Sequence, residues 1–241
     1  MEKKIALVTG ANKGIGLEAA RQLGQQGYSV WLGCRDAERG EAAAAALRDQ
    51  GLDAHAVVLD VTDAGTVRNA AALLKEKAGR LDALVNNAGI SLGYRARPSE
   101  ETIEDVKAIY DVNVFGPVMV TQAMLPLLRR SAAPRVVMVS SGLGSLAAAA
   151  DRANPGYAFN FLGYRSSKTA LNAATIALAK DLEADGIRVN AADPEFTATD
   201  LNGNTGFKTP EQGARIIVQL ATMGDDAPTG TFIGDHGPVA W

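Results

Sequence analysis

The stretch Ile5-Ala6-Leu7-Val8-Thr9-Gly10-Ala11-Asn12-Lys13-Gly14-Ile15-Gly16 decides the fold, because it joins a short apolar run to a glycine-rich turn and then to a helical pattern. Glycines let a backbone turn sharply and approach a pyrophosphate closely. The helix that follows offers free N–H donors and a partial positive charge at its N-terminus. The spacing G-x-x-x-G-x-G differs from G-x-G-x-x-G, and a glycine turn alone is a weak signal. Its place between a strand and a helix nevertheless favours a bound nucleotide.

Short β-branched runs alternate with longer helical patterns along almost the whole chain, which predicts a parallel sheet covered by helices on both faces. Strands are predicted at residues 5–9, 29–33, 54–59, 83–86, 135–140, 187–191 and 231–233. Helices are predicted at 15–26, 37–50, 64–78, 100–130, 162–184 and 210–222. The sequence therefore predicts an α/β fold with a doubly wound parallel sheet of about seven strands. We expect one domain over residues 1–241, with an inserted loop at about 143–161 beside the site.

Composition and charge exclude several classes of protein. The chain has 241 residues and a formal net charge of −3 at pH 7, with no local cluster of Lys and Arg, so no nucleic-acid partner is expected. Cys34 is the only cysteine, which excludes an intrachain disulfide and a cysteine-built zinc site. No secretory pattern follows the N-terminus, and no uninterrupted apolar segment approaches the roughly 20 residues that cross a bilayer. We therefore expect a soluble, cytoplasmic protein that contacts no membrane.

A second stretch, Gly163-Tyr164-Arg165-Ser166-Ser167-Lys168, opens an apolar-periodic run that predicts a helix. Tyr164 and Lys168 then lie one turn apart, so both side chains reach the same side. An ammonium beside a phenol favours the phenolate, so we expect Lys168 to lower the pKa of Tyr164 and to allow proton exchange near neutral pH. The alternative is a packed Tyr and a solvated Lys, which this spacing also produces by chance.

The residues after the second predicted strand bear on the choice of cofactor. A site for NAD usually places an acidic side chain here to accept from the ribose 2′-hydroxyl, whereas a 2′-phosphate calls for cations. Cys34 cannot accept as a carboxylate does, and Arg35 can pair with phosphate. Lys13, in the glycine turn, offers a second charge. Asp36 argues mildly against phosphate, and two solvated surface cations are the alternative, but the pattern favours NADP.

Small and polar residues also follow the other predicted strands. Asp60 and Val61 offer a carboxylate and an apolar neighbour for an adenine ring, although Asp60, Thr62 and Asp63 are each suited to capping the next helix. The small residues of Asn86-Asn87-Ala88-Gly89 allow close backbone approach to a ribose. Ligands bind outside the carboxyl ends of the strands in open parallel sheets, so we expect these residues to meet at one site.

From about Lys4 to about Leu201 these residues resemble the short-chain dehydrogenase/reductase family. The matching pieces, in the family's order, are TGANKGIG at 9–16, LDVTD at 59–63, NNAG at 86–89, DVNVFG at 111–116, VSS at 139–141 and YRSSK at 164–168. Such a set is far more specific than any one of its pieces. The resemblance implies a single Rossmann-like domain and a catalytic tetrad of Asn113, Ser141, Tyr164 and Lys168.

The same resemblance implies a role for each member of the tetrad. Ser141, the second serine of its pair, would hold the substrate carbonyl oxygen, and Tyr164 would protonate that oxygen as hydride arrives from the nicotinamide. Lys168 would bind the nicotinamide ribose and lower the pKa of Tyr164. Asn113 would anchor a water that links Lys168 to solvent.

The resemblance also implies a set of cofactor contacts along the cavity, with Asp60 and Val61 at the adenine and Thr197 and Thr199 near the carboxamide and the pyrophosphate. The implied NADP-binding residues are Gly10, Asn12, Lys13, Gly14, Ile15, Gly16, Arg35, Asp60, Val61, Asn87, Ala88, Gly89, Tyr164, Lys168, Pro194, Thr197 and Thr199. No metal is implied.

Two features depart from the family's usual pattern. Glu195 follows Pro194 where members usually carry glycine; its carboxylate either points to solvent, recognises a cationic or hydroxyl-bearing substrate, or impairs activity if the loop needs φ > 0. The separation between Ser141 and Tyr164 is longer than usual and resembles the carbonyl-reductase branch, in which the extra segment covers a surface used elsewhere for tetramers. Ala147 to Ala150, Tyr157, Phe159 and Phe161 would then form a lid or a pocket wall, and a monomer or homodimer is expected.

The leading hypothesis is NADPH-dependent reduction of a small-molecule ketone or aldehyde to an alcohol, reversible in principle. Two alternatives stay open at this point. One is an imine or amino-ketone reductase that uses Glu195, and the other is a catalytically silent NADP-binding sensor.

Overall fold

The computed structural model describes residues 3–92, 97–224 and 226–241. The strands in these ranges are Ile5–Thr9 (β1), Ser29–Cys34 (β2), Ala54–Val58 (β3), Ala83–Asn86 (β4), Arg135–Val139 (β5), Arg188–Ala192 (β6), Phe232–Gly234 (β7) and Gly237–Pro238 (β8). The α-helices are Gly14–Gln25 (α1), Ala37–Arg48 (α2), Ala64–Lys77 (α3), Ile103–Tyr110 (α4), Gly116–Leu128 (α5), Leu146–Ala150 (α6), Leu162–Leu182 (α7) and Pro210–Thr222 (α8). Most predicted boundaries therefore agree with the structure within two residues.

The strands form one sheet in the order β3-β2-β1-β4-β5-β6-β7-β8. Strands β1 to β7 pair in parallel, and only the short β8 pairs antiparallel, with β7. The strand order reverses between β1 and β4, and in open parallel sheets this switch point places a crevice at the carboxyl ends of the strands. The predicted doubly wound α/β fold is confirmed, with β8 as an addition to the seven predicted strands.

Alternation along the central strands divides the core into two apolar layers. Ala6 and Val8 of β1 face a layer that includes residues of α1, α2 and α8, whereas Ile5 and Leu7 face a layer that includes residues of α3, α5 and α7. Successive strand residues point to opposite faces, so a strand that is apolar throughout must be covered on both. The sheet is accordingly held between two helical layers, and its strand ends are left for the site.

The predicted helix at 100–130 is not one regular helix. A π-helical turn, Asp111–Phe115, separates α4 from α5. The whole stretch Ile103–Leu128 is long and apolar enough by length and composition to cross a membrane, but half of its most apolar window is buried inside the fold. Burial of this kind is typical of a core helix, and α5 contributes Val120 and Met124 to the core.

The segment expected as an inserted loop at 143–161 contains regular structure. It holds α6 and two 3₁₀ turns, Gly142–Gly144 and Pro155–Ala158. Ser145 caps α6 and Asn154 caps the second 3₁₀ turn, each through its side-chain oxygen. These local caps give the segment a defined path along the carboxyl ends of the strands.

Candidate active site

The glycine turn between β1 and α1 is shaped by conformations that favour glycine. Gly10 and Gly14 have φ values of +63° and +58°. A Cβ at Gly10 would lie 3.0 Å from Ala88 Cα, and one at Gly16 would collide with the Asn87 side chain. Asn87 stabilises the glycine turn, because its Nδ2 donates to the Thr9 carbonyl oxygen at 2.9 Å. The turn thus keeps the start of α1 clear of side chains, which suits a pyrophosphate.

A cavity of about 1360 Å³ runs from this turn to the segment at 143–161. Every predicted cofactor-binding residue lines it, as do Ser141, Tyr164 and Lys168. Pockets for single small molecules are usually about 300–1,000 Å³, so the volume suits a dinucleotide together with a second molecule. Asn113 does not line the cavity, since its side chain is fully buried behind it.

Among the described residues at the end of β2, no carboxylate is directed at the cavity. Asp36 instead caps α2 by accepting from Arg39 N at 3.0 Å. The Cys34 thiol is buried, and burial raises its pKa to about 11, so it stays uncharged at neutral pH. Arg35 is exposed at the cavity lining, whereas Lys13 Nζ lies 2.5 Å from a carboxylate oxygen of Asp200. Arg35 is therefore a cation that is available here without rearrangement.

The end of β3 separates two carboxylates that the sequence left interchangeable. Asp63 caps α3 by accepting from Gly65 N at 2.6 Å. Asp60 instead accepts from the Thr62 backbone N–H at 2.9 Å and from its hydroxyl at 2.7 Å. Capping therefore belongs to Asp63, and Asp60 lies at the cavity with Val61.

The start of α7 brings Tyr164 and Lys168 to the cavity beside Ser141. The Tyr164 hydroxyl shares a side-chain hydrogen bond with Ser141. Lys168 Nζ lies 5.7 Å from the Tyr164 ring centroid and donates to the Val139 carbonyl oxygen at 2.8 Å. The neighbouring Ser140 is buried and donates from its hydroxyl to Asn172 Oδ1 at 2.6 Å. Ser141 thus lies beside Tyr164 while the Ser140 hydroxyl is engaged with Asn172, and the assignment of Ser141 as the catalytic serine stays a prediction.

The predicted lowering of the Tyr164 pKa is wrong for the protein without a bound cofactor. Burial raises the pKa of Tyr164 to about 12, and the charge of Asp193 adds to this rise. Lys168 does not offset this rise; its Nζ donates to the Val139 carbonyl oxygen, and burial lowers its own pKa to about 8. The sequence argument considered a charged neighbour and omitted the cost of removing both groups from water.

Asn113 lies in the π-helical turn and fastens it to the loop that follows β4. Its Oδ1 accepts from Ile90 N at 2.8 Å, and its Nδ2 donates to the Ile90 carbonyl oxygen at 2.9 Å and to Ser167 Oγ at 3.1 Å. A Cβ at Gly89 would lie 3.4 Å from Asn113 Oδ1 and 3.7 Å from Lys168 Nζ. Gly89 therefore leaves open the space between Asn113 and Lys168.

Glu195 adopts the backbone conformation that glycine would adopt more easily, with φ +57°. Its backbone N–H donates to Asp193 Oδ1 at 2.9 Å, and its carboxylate pairs with Lys208 Nζ at 2.8 Å. Lys208 Nζ also lies 2.6 Å from a carboxylate oxygen of Asp235. We call Asp193, Glu195, Lys208 and Asp235 the charged clasp. The Glu195 side chain is only 18 % exposed, so it is directed to Lys208 rather than to solvent.

Asp193 is a site residue that sequence analysis did not single out. It is buried, and burial is the main cause that raises its pKa. Its carboxylate accepts from the backbone of Gly142 as well as that of Glu195, so it joins the turn after Ser141 to the loop after β6. The available signal was a carboxylate directly after a buried strand, beside a proline.

Thr197 and Thr199 differ in how they meet the cavity. The Thr197 side chain is buried, and its hydroxyl donates to the Pro194 carbonyl oxygen at 2.8 Å. Thr197 therefore holds the loop through its side chain rather than offering a free hydroxyl. Thr199 lies over the glycine turn, with its Cγ2 3.6 Å from the position of a Cβ on Gly14.

Arg165 is a second residue that sequence reasoning missed. Its guanidinium donates to the carbonyl oxygens of Leu143 and Gly156, each at 3.1 Å, and to that of Phe159. Burial lowers its pKa. A side chain next to Tyr164 thus ties both ends of the segment at 143–161 to α7.

This fold and this site together define a dinucleotide-binding oxidoreductase of the Rossmann type. The family model described as short chain dehydrogenase matches residues 4–209. The chain is 36 % identical over 228 residues to a short-chain dehydrogenase of Penicillium roqueforti, covering 92 % of this chain and 90 % of that protein. It is 32 % identical to (-)-isopiperitenone reductase of Mentha piperita, with 95 % and 96 % covered. The NADPH-bound carbonyl reductase from chicken fatty liver superposes with a TM-score of 0.86 at 28 % identity over the whole of both chains.

The chain therefore belongs to the short-chain dehydrogenase/reductase family.

Proposed function

We propose that this protein reduces a ketone or an aldehyde to an alcohol with NADPH. The observation that carries the proposal is the convergence of Ser141, Tyr164 and Lys168 on one cavity with the glycine turn. The solved relative with NADPH bound and the relatives named as reductases support this choice of chemistry. Arg35 is exposed, and no carboxylate from the described end of β2 is directed at the cavity. Both observations support NADPH over NADH.

The residues fit the cofactor through the glycine turn, where side chains would obstruct a pyrophosphate, and through Arg35 and Asp60 at the far end of the cavity. Bound NADPH supplies the hydride that adds to the carbonyl carbon. Ser141 donates a hydrogen bond to the carbonyl oxygen, and the Tyr164 hydroxyl transfers its proton to that oxygen. Lys168, held by the Val139 carbonyl oxygen, lies beside the phenol as it becomes an anion.

The raised pKa of Tyr164 leaves the phenol protonated in the protein without a bound cofactor. A phenol with a pKa of about 12 keeps its proton at neutral pH and can donate it. Oxidation of an alcohol would instead need the phenolate, which the buried site and the Asp193 charge disfavour.

The test is NADPH consumption by the purified protein with a panel of activated ketones, aldehydes and quinones, together with identification of the alcohol formed. Turnover with NADPH that exceeds turnover with NADH by at least roughly tenfold is expected from one charge-assisted phosphate contact. Tight NADPH binding with no turnover across the panel would instead favour a cofactor-binding sensor.

A further inference from the structure

Four phenylalanines form a continuous row in the wall of the cavity. The ring centroids of Phe161 and Phe159 are 6.3 Å apart, those of Phe159 and Phe196 are 6.3 Å apart, and those of Phe196 and Phe207 are 6.2 Å apart. These spacings lie within the roughly 4.5–7 Å at which aromatic rings interact favourably. All four side chains line the cavity, and we call them the phenylalanine row.

The phenylalanine row belongs to the catalytic end of the cavity. Phe161 immediately precedes α7, which carries Tyr164 one turn later. Phe196 follows Glu195 in the loop that begins at Asp193, whose charge acts on Tyr164. The row therefore extends outward from the site of proton transfer, where the substrate would lie.

Parts of this apolar surface lie open to solvent. Phe207 is 73 % exposed and Phe159 is 39 % exposed. Leu143, Leu201 and Val239 extend the apolar lining around the row. Exposed aromatic surface at a cavity is stabilised when an apolar ligand covers it.

Two of the described charged side chains at this end, those of Glu195 and Arg165, are already engaged within the protein. Glu195 pairs with Lys208, and the Arg165 guanidinium is bound to three carbonyl oxygens. The polar Asn154 accepts from Gly156 N at 2.8 Å. A charged group on the substrate would therefore lose water without gaining a free partner from these residues.

We propose that the substrate is an uncharged ketone whose carbonyl group is attached to a flat ring system, and that the phenylalanine row binds those rings. This proposal rests on the proposed function for its reacting group. It deepens that function by excluding small aliphatic ketones and cationic ketones as the preferred substrates. The Arg165 contacts with the Phe159 carbonyl oxygen and its neighbours hold the row in place before the substrate arrives.

The test compares kcat/KM with NADPH for 2-acetylnaphthalene, 2-butanone and an acetophenone that carries a trimethylammonium group. We expect 2-acetylnaphthalene to exceed each of the others by at least roughly tenfold, since several ring contacts contribute. Phe159→Ala should lower kcat/KM for 2-acetylnaphthalene by roughly three- to tenfold and change that for 2-butanone less than about twofold. Phe159→Leu, which keeps apolar bulk without a ring, should fall between the wild type and Phe159→Ala.

Tyr157→Ala is the matched control, because Tyr157 lies in the same segment, is 43 % exposed and does not line the cavity. It should leave both ketones unaffected. An equal loss for both ketones in Phe159→Ala, or a preference for 2-butanone in the wild type, would overturn the proposal and leave the carbonyl reductase proposal standing.

Equilibrium binding of 2-acetylnaphthalene to the NADP-loaded protein separates the two proposals if no ketone is reduced. Weaker binding to Phe159→Ala than to Tyr157→Ala would support the phenylalanine row as the surface that binds the rings, even if the proposed function failed. No binding to the wild type, or equal binding to both variants, would overturn the row as a recognition surface.

Discussion

Both ends of the cavity contain residues with positive φ, but different residue types adopt this conformation at each end. At the glycine turn, Gly10 and Gly14 adopt positive φ values with no side chain to place. At the end of β6, Glu195 adopts a φ of +57° and is held by Asp193 through its backbone and by Lys208 through its carboxylate. The first end stays open for a ligand, while the second places partly buried charges beside Tyr164. The backbone at the cofactor end therefore depends on glycines, which have no side chain. The backbone at the catalytic end depends on the contacts of Glu195 with Asp193 and Lys208.

The largest effect is expected from removing the proton donor at the catalytic end. Tyr164→Phe should lower kcat by roughly 10²- to 10⁴-fold, the usual size of a general acid contribution. NADPH affinity should change little, because Phe keeps the ring of Tyr164, and the glycine turn and Arg35 are unchanged. Stopped-flow measurement of NADPH oxidation and titration of NADPH fluorescence check the two parts.

The adjacent serines supply the control for that prediction. Ser141→Ala should also lower kcat, while Ser140→Ala removes a hydrogen bond to Asn172 within the core and should affect stability more than kcat. If Tyr164→Phe retained wild-type kcat, the chemistry would not belong to this end of the cavity.

A smaller effect is expected at the other end. Arg35→Ala should weaken NADPH binding by roughly 10- to 100-fold, the size of a lost charge-assisted contact with phosphate. NADH binding should change less than about threefold, because NADH has no 2′-phosphate. Isothermal titration with both cofactors measures the ratio.

Arg39→Ala is the control for charge alone, since Arg39 is exposed on α2 and lies 3.5 Å from Asp36. It should leave both affinities near their wild-type values. An unchanged NADPH-to-NADH ratio in Arg35→Ala would remove the basis for assigning NADPH.

Sequence reasoning predicted the fold well because its signals are local. Apolar strands, the glycine turn and helix caps each depend on residues that are neighbours in the sequence. They predicted a parallel sheet, and a parallel sheet places the site at the carboxyl ends of its strands. The prediction of one continuous helix at 100–130 was wrong, because a π-helical turn interrupts it. Asn113 in that turn accepts from Ile90 N, a contact between residues 23 positions apart in the sequence. A propensity pattern contains no information about that contact.

The sequence grouped residues that line one cavity, but it did not predict the environment of the catalytic candidates. All the predicted cofactor residues line one cavity, but the direction of the Tyr164 pKa shift was missed because it depends on burial. The partners of Glu195 were also missed. Lys208 and Asp235 reach it only through tertiary folding, so the sequence showed an unexplained carboxylate without the cation that pairs with it.

The buried cation at the catalytic end should lower stability. Lys168→Met should raise the free energy of unfolding at pH 7 by on the order of 1–2 kcal/mol, because it removes the desolvation cost of a buried amine. The folded pKa of about 8 lies below the ordinary 10.5, so the unfolded chain binds more protons between these values. Wild-type stability should thus rise with pH through this window.

The advantage of Lys168→Met should therefore be complete below pH 8 and shrink toward pH 10.5. Urea unfolding of both proteins across this range measures it. Lys180→Met, at an exposed position of the same helix, controls for a change of charge. A constant difference across the pH range would mean that Lys168 keeps its full charge in the folded protein.

The smallest effect tests the backbone difference between the two ends directly. Glu195→Gly and Glu195→Ala both lose the pair with Lys208, but only glycine relieves the positive φ. We expect Glu195→Gly to be more stable than Glu195→Ala by about 1 kcal/mol in urea unfolding. At Glu41 on α2 the order should reverse by a similar amount, because Gly in a helix interior is less stable than Ala. If Ala were the more stable residue at both positions, the loop after β6 would not be held in the left-handed conformation, and the charged clasp would be a surface ion pair without a backbone role.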